Sequence, residues 1–260
     1  MRLLATALDG TALAPGGVVR PAVRAAFDRA REAGIDVVVA TGRPPRFAHR
    51  AAVELGAPGH AVCANGSVPY DVATETLVDV RPLDAAVGPI VERLRDAAPG
   101  VAFAAEWDLT FAFEARFEAA IPEKPDDPPL VDDILDIDAA TLHKLLAVHP
   151  GMSGPALWRL ADAVLDGLAA PSHSGLGFVE IAGHGVNKAT ALERLCAERG
   201  IDVAEVAAVG DNLNDLEMLR WAGRSFAMGG SSPDVVAAAD EVVSDHHRDG
   251  AAEVVARLLA

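Results

Sequence analysis

The sequence predicts an α/β fold: a doubly wound parallel sheet with a smaller α+β domain inserted into it. Three observations carry this. Short apolar runs alternate with helical spacing at both ends of the 260-residue chain. The middle loses that alternation and pairs its strands at hairpin spacing. Polar clusters follow several of the outer apolar runs, where open α/β sheets bind ligands.

Arg2 to Leu8 reads as the first strand and runs into the turn Asp9-Gly10-Thr11. Pro21 to Ala33 has helical apolar spacing at Val23, Ala26, Phe27 and Ala30, with Pro21 in the first turn and Gly34 as the stop. Ile35 to Ala40 is a near-continuous apolar run suited to a buried parallel strand, closed by Thr41-Gly42-Arg43-Pro44. A helix follows to about Leu55. His60 to Cys63 is a third strand, ending at Ala64-Asn65-Gly66. Val68 to Tyr70 and Thr76 to Val80 read as a hairpin.

Leu83 to Ala97 is helical, and Val101 to Ala105 pairs with Thr110 to Glu114. Ile121 to Asp133, with four prolines, reads as an exposed loop. Leu142 to Val148 reads as a strand, Gly154 to Leu168 as a helix and Phe178 to Ile181 as a strand. Alternation resumes with a helix from Asn187 to Arg199 and a strand from Val206 to Val209. That strand leads into Gly210-Asp211-Asn212-Leu213-Asn214-Asp215 and a helix to about Trp221. Arg224 to Met228, Pro233 to Ala238, Glu241 to Val243 and Gly250 to Leu259 continue the pattern. The expected domains are residues 1–81 with 184–260, and residues 82–183 inserted between them.

Hydrophobic residues make up 51% of the chain, enough for a sizeable core. The formal net charge of −16 argues against a nucleic-acid partner, because phosphate backbones demand clustered Lys and Arg. The lysines are Lys124, Lys144 and Lys188. Cys63 and Cys196 match no zinc spacing and read as buried thiols of a reducing compartment. Asp9 and Gly10 interrupt the N-terminal apolar run too early for a leader peptide, and no run is long enough for a membrane span. The expectation is a cytoplasmic protein, monomer or homodimer, with no membrane partner.

Four pieces fall at strand ends or a helix start: Asp9-Gly10-Thr11, Thr41-Gly42-Arg43, Lys188, and Gly210-Asp211 with Asn214-Asp215. A threonine after a strand is ordinarily a cap, a single lysine a solvated helix residue, and Asp-Gly a common turn. Gly-Asp-x-x-Asn-Asp is sharper, because its polar residues after an apolar strand fit neither a core nor an amphipathic pattern. Together the pieces suit a phosphoryl group. Asp211 and Asp215 can hold Mg²⁺, a hard ion that takes oxygen ligands and keeps several waters. Thr41 can hydrogen-bond a phosphate oxygen, and Lys188 can act as a flexible point cation. Asp9, two residues beyond position 7, falls on the same side of an extended strand. No phosphate-binding Gly-x-x-x-x-Gly-Lys loop or Gly-x-Ser-x-Gly elbow is present, and Gly175-Leu176-Gly177 is no dinucleotide fingerprint. His246-His247 reads as a solvated loop.

These motifs resemble the haloacid dehalogenase-like (HAD) superfamily, and within it the Cof-type, class IIB phosphatases. Further likeness lies in Cys63 to Gly66, Glu180-Ile181 to Lys188, Gly210 to Leu219, Met228-Gly229 and Asp249 to Ala251, so it spans the chain. The resemblance implies a Rossmann-like core with an α+β cap between motifs two and three. It also implies Mg²⁺-dependent hydrolysis of small phosphate esters, sugar phosphates by default, through an aspartyl-phosphate. It makes Thr41 the motif-two hydroxyl, Lys188 the motif-three lysine, Asp211 the principal carboxylate on Mg²⁺ and Asp215 a supporting acid. Asp9 would give its carbonyl to the metal and its side chain as general acid and base. Thr11, Arg43, Asn65 and Asn214 would meet the substrate. Trp107, Arg116, Trp158 and His173 are candidates in the cap.

One position departs from the pattern. The family's nucleophile is the first Asp of its first motif, and here that position is Ala7. Three readings stand: the natural chain has Asp there and this one carries Asp→Ala; the chain is a silent phospho-ligand-binding or regulatory protein; or Asp9 activates water without a covalent step.

Overall fold

The computed structural model describes residues 1–83, 86–120 and 130–260. The chain forms two compact units, Met1–Asp79 with Asn187–Ala260, and Val80–Val186.

The first unit opens with β1 (Leu3–Thr6), followed by the short ribbon β2 (Leu13–Ala14) and β3 (Val18–Val19). Next come α1 (Pro21–Glu32), β4 (Asp36–Ala40), α2 (Pro45–Leu55), β5 (His60–Cys63), β6 (Val68–Asp71) and β7 (Thr76–Leu77). The second unit holds α3 (Val87–Ala97), β8 (Ala102–Trp107), β9 (Thr110–Glu114), β10 (Leu130–Val131), β11 (Lys144–Val148), α4 (Gly154–Val164), β12 (Ala169–Ser172) and β13 (Val179–Gly183). The chain returns to the first unit with α5 (Lys188–Arg199), β14 (Val206–Gly210), α6 (Leu216–Trp221), β15 (Arg224–Met228), α7 (Pro233–Ala238), β16 (Glu241–Val243) and α8 (Gly250–Leu259).

The first unit's sheet has the order β16-β15-β14-β1-β4-β5-β6-β7. From β16 to β5 every pairing is parallel. β6 and β7 add antiparallel at one edge, so the expected hairpin extends this sheet. The central strands β1 and β14 are buried along their whole length, as continuous apolar runs demand when both faces are covered. On one face Leu3, Ala5, Val38, Ala40 and Val62 pack with Leu192, Leu195, Met218 and Leu219. Cys63 and Cys196 are free and buried.

From β1 the chain moves to β4 on one side, and after the second unit it re-enters at β14 on the other. The strand order therefore reverses beside β1, and the carboxyl ends of β1, β4 and β14 flank that switch point. β1 is shorter than Arg2 to Leu8. The chain already turns at Ala7 and Leu8, whose carbonyls accept Ala12 N–H and Leu13 N–H at 3.4 and 2.9 Å. Asp9 thus lies beyond the strand, and the alternation argument for its direction does not apply.

The second unit's sheet has the order β10-β9-β8-β11-β13-β12. One face packs Phe103, Leu145, Val179 and Ile181 against Ile90, Leu94 and Leu157 of α3 and α4. The other carries Phe111, Phe113, Phe117 and Phe178. On this sheet Lys144 is buried between Glu180 at 2.6 Å and Glu106 at 3.7 Å. The helix after Gly154 stops at Val164, and β12 was not expected. Its Pro171 lacks an N–H, which only an edge strand tolerates, and β12 is an edge. Of the expected loop Ile121 to Asp133, residues 121–129 lie outside the described residues. Among the described residues, no helix is long and apolar enough to cross a membrane.

Candidate active site

The polar clusters meet at the switch point. Gly10 has φ +72°, and a Cβ there would lie 2.1 Å from Asp211 Oδ2, so the turn after β1 passes directly beneath that carboxylate. Thr11, buried in the same turn, donates its hydroxyl to Asp211 Oδ1 at 2.6 Å. Burial pushes the Asp211 carboxyl up to about 7, helped by the nearby Asp215 charge; the Thr11 hydroxyl and Lys188 oppose this, and Asp9 adds to it.

Lys188 is the first residue of α5, where a cation opposes the helix dipole. Its place is fixed by two features. Asn187 caps the helix in a reciprocal box with Thr190, and Asp215 Oδ1 accepts from Lys188 Nζ at 2.6 Å. Both side chains of this ion pair are buried. Asp215 Oδ2 accepts the backbone N–H groups of Asp211 and Asn212, each at 3.0 Å. Both oxygens of Asp215 are thus engaged in holding the loop. Lys188 is a fixed cation here, not the flexible one expected, because burial and this ion pair hold it.

Arg43 binds Asp9 through two bonds, Nε to Oδ2 at 2.8 Å and Nη2 to Oδ1 at 2.6 Å. Asp9 is exposed and Arg43 half-buried. Thr41 is buried, and its hydroxyl oxygen accepts Arg43 N–H at 3.0 Å, leaving the hydroxyl hydrogen to donate. Asn214 Nδ2 donates to Asn65 Oδ1 at 3.1 Å. Of the four expected substrate contacts, Thr11 therefore supports Asp211, Arg43 holds Asp9, and Asn65 and Asn214 hold each other. Ala7 is 3% exposed, and its N–H donates to Val209 O at 3.0 Å, tying position 7 to β14.

Sequence reasoning placed Asn187 at a helix start and Asn212 in the loop after a strand, but missed the capping role of each. Asn212 caps the turn at Leu213–Asp215, with Asp215 returning the bond to its N–H. The signal was present in both cases as a capping spacing, Asn187-x-x-Thr190 and Asn212-x-x-Asp215. In the second unit, Trp107 and Trp158 pack against its helix-covered core. Both ring nitrogens of His173 are used in its own loop, towards Leu176 O and Gly175 N. Arg116 lines an open cleft of about 520 Å³ with Arg95 and Glu114.

The donors present suit a hard divalent cation sparsely. Asp211 is a half-buried carboxylate pushed up to about 7, first by desolvation and then by the Asp215 charge. The Asp9 backbone carbonyl, in the adjoining turn, would be the second oxygen donor. Among the described residues, no group of three or more His, Cys, Asp or Glu side chains is arranged around a metal. An ion here would keep several waters, as Mg²⁺ does.

The haloacid dehalogenase-like hydrolase family matches residues 4–255, nearly the whole chain. The chain belongs to the haloacid dehalogenase-like hydrolases. It is 28% identical to the pyridoxal phosphate phosphatase YbhA of Escherichia coli, covering 98% of this chain and 97% of that one. It is 26% identical to the HMP-PP phosphatase of Cronobacter sakazakii, covering 91% and 87%. A haloacid dehalogenase-like hydrolase from Bacillus subtilis shares the fold with a TM-score of 0.84 at 23% identity, covering 99% and 100%.

Proposed function

We propose that this chain carries the site of a Mg²⁺-dependent phosphatase of small phosphorylated metabolites, and that Ala7 leaves it able to bind such an ester but nearly unable to hydrolyse it. The unit Val80–Val186 would be its cap, selecting the leaving group. The observation that carries the reading is the polar network at the switch point. Thr11 with Asp211, Lys188 with Asp215, and Asn65 with Asn214 are all joined without any side chain from position 7. An alanine there removes an attacking group and leaves the frame standing.

Phosphoryl transfer spreads charge over the equatorial oxygens, so positioning and charge stabilisation do most of the work. Thr41 donates its hydroxyl hydrogen to a phosphate oxygen. Lys188 contributes fixed positive potential. Asp211, with the Asp9 carbonyl, would hold Mg²⁺, which would neutralise phosphate charge when bound. Asp9 is exposed and can exchange Arg43 for a leaving-group oxygen, giving or taking a proton there. Ala7 has no lone pair to attack phosphorus. Relatives that act on pyridoxal phosphate and HMP-PP support small metabolites as the substrate class.

One observation favours the second reading, a silent phospho-ligand-binding or regulatory protein. Arg43 holds both oxygens of Asp9, the group that would move the proton. Ala7→Asp decides between the two. Assayed with Mg²⁺ against a panel of phosphate esters, it should exceed this chain by roughly 10³- to 10⁶-fold, by analogy with removal of other nucleophiles. The gain should vanish with Asp9→Asn added. An Ala7→Asp protein inert on every ester, alongside tight phosphate binding by the Ala7 chain, would establish the silent reading. Turnover near 10 per second by the Ala7 chain itself, ordinary for an enzyme, would rule out the covalent account.

A further inference from the structure

We infer that the turn Ala64-Asn65-Gly66 sets the loop carrying Asp211, with Asn65 as the positioning residue that acts through Asn214. The turn is strained in a way a plain connection would not need. Ala64 has φ +49° and Asn65 φ +55°, two successive residues in the left-handed region, and both are buried. Asparagine tolerates this region; alanine rarely enters it. Strain of this kind persists only where surrounding contacts over-determine it.

Those contacts are specific. Ala64 N–H donates to Arg43 O at 2.9 Å, and Asn65 N–H to Thr41 O at 3.0 Å, so the turn is laced to the segment after β4. Gly66 packs against the start of α5, where a Cβ would lie 2.2 Å from Asn187 O, the residue capping Lys188. Asn65 Oδ1 accepts Asn214 Nδ2 at 3.1 Å, reaching the loop after β14. One three-residue turn thus touches the Thr41, Lys188 and Asp211 pieces at once. Asn214 lies between Asp211 and Asp215, whose carboxylate takes the N–H groups of Asp211 and Asn212. Holding Asn214 therefore restrains the loop at its outer end while Asp215 restrains it from within. The chemical role of that loop rests on the phosphatase reading above; its restraint by Asn65 does not.

The test uses the full chain and Asn65→Gly. Glycine accepts φ +55° and removes the carboxamide, acceptor oxygen and donor nitrogen together. Hydrogen exchange is measured without ligand or metal. Amides at Asp211, Asn212 and Asp215 should exchange about five- to tenfold faster, the scale of one lost hydrogen bond, while those of β1 and β4 stay unchanged. Asn65→Asp keeps an acceptor oxygen and left-handed tolerance, and should retain the parental protection. Calorimetry with inorganic phosphate and Mg²⁺ should show a loss of similar size for Asn65→Gly. Asn214→Ala and the double variant should then match it, because both remove the same link.

Unchanged exchange at 211–215 in Asn65→Gly, or faster exchange across the whole core, overturns the inference. Additive losses in the double variant do so as well, since they would mean that Asn65 meets the ligand directly. If the loop loosens as expected but the parent chain binds no phosphate, the positioning role stands and the phosphatase reading fails.

Discussion

Burial and the Asp215 charge push Asp211 up to about 7 from its ordinary 3.8, and this has a consequence for stability. Between about pH 4 and pH 7 the folded chain keeps a proton that the unfolded chain has released. Stability then falls as pH rises through that window and levels off above it. In a chelating buffer, the melting temperature of this chain relative to Asp211→Asn should therefore fall from pH 5 to pH 8. Mg²⁺ should restore it in the parent and not in the variant. A difference that is flat with pH would mean that Asp211 ionises normally. The same residue shows how little of its environment is local. Its place after an apolar strand is legible in the sequence, but the carboxylate's isolation comes from Gly10 and Thr11, which are brought against it by the pairing of β1 with β14.

At the scale of elements, α5 and the loop after β14 are joined by a buried ion pair. Asp215 is 1% exposed and Lys188 3%. Such a pair is only weak evidence of net stabilisation, yet removing one partner strands the other charge in the interior. Asp215→Ala should cost about 3 to 5 kcal/mol in urea unfolding, on the order measured for broken buried pairs. Lys188→Met with Asp215→Leu should recover much of that. A cost for Asp215→Ala below about 1 kcal/mol, the range of an exposed pair, would contradict the burial. The helix itself was readable as Asn187 to Arg199, because helix extent is set by near-neighbour chemistry. The burial of Lys188 was not, since a lysine at a helix start is ordinarily solvated.

At the scale of the molecule, the second unit carries its own two apolar clusters, one on each face of its sheet. Every residue of both lies within Val80–Val186. A piece on the order of a hundred residues with such a core is large enough to fold alone. Residues 80–186 expressed by themselves should show a cooperative thermal transition by circular dichroism. A featureless melt would mean that this core needs the rest of the chain.

The sequence by itself determined what depends on neighbours along the chain. Apolar runs of four or five residues made β1, β4, β5 and β14, and polar, glycine-containing stretches marked their ends. Proline and glycine bounded the helices, as Pro21 and Gly34 bound α1. The family likeness was legible for the same reason, since its motifs are short and local. Only the tertiary structure decided which polar groups meet. Arg43 finds Asp9 across 34 positions, Asn65 finds Asn214 across 149, and Thr11 finds Asp211 across 200. It also gave Thr11, Arg43 and Asn65 their partners Asp211, Asp9 and Asn214, and made an edge strand of a segment containing Pro171. The physical reason is that a hydrogen bond needs its partners within about 3 Å. For residues so far apart in sequence, that distance is set by strand order and register, which no local pattern of residue types encodes.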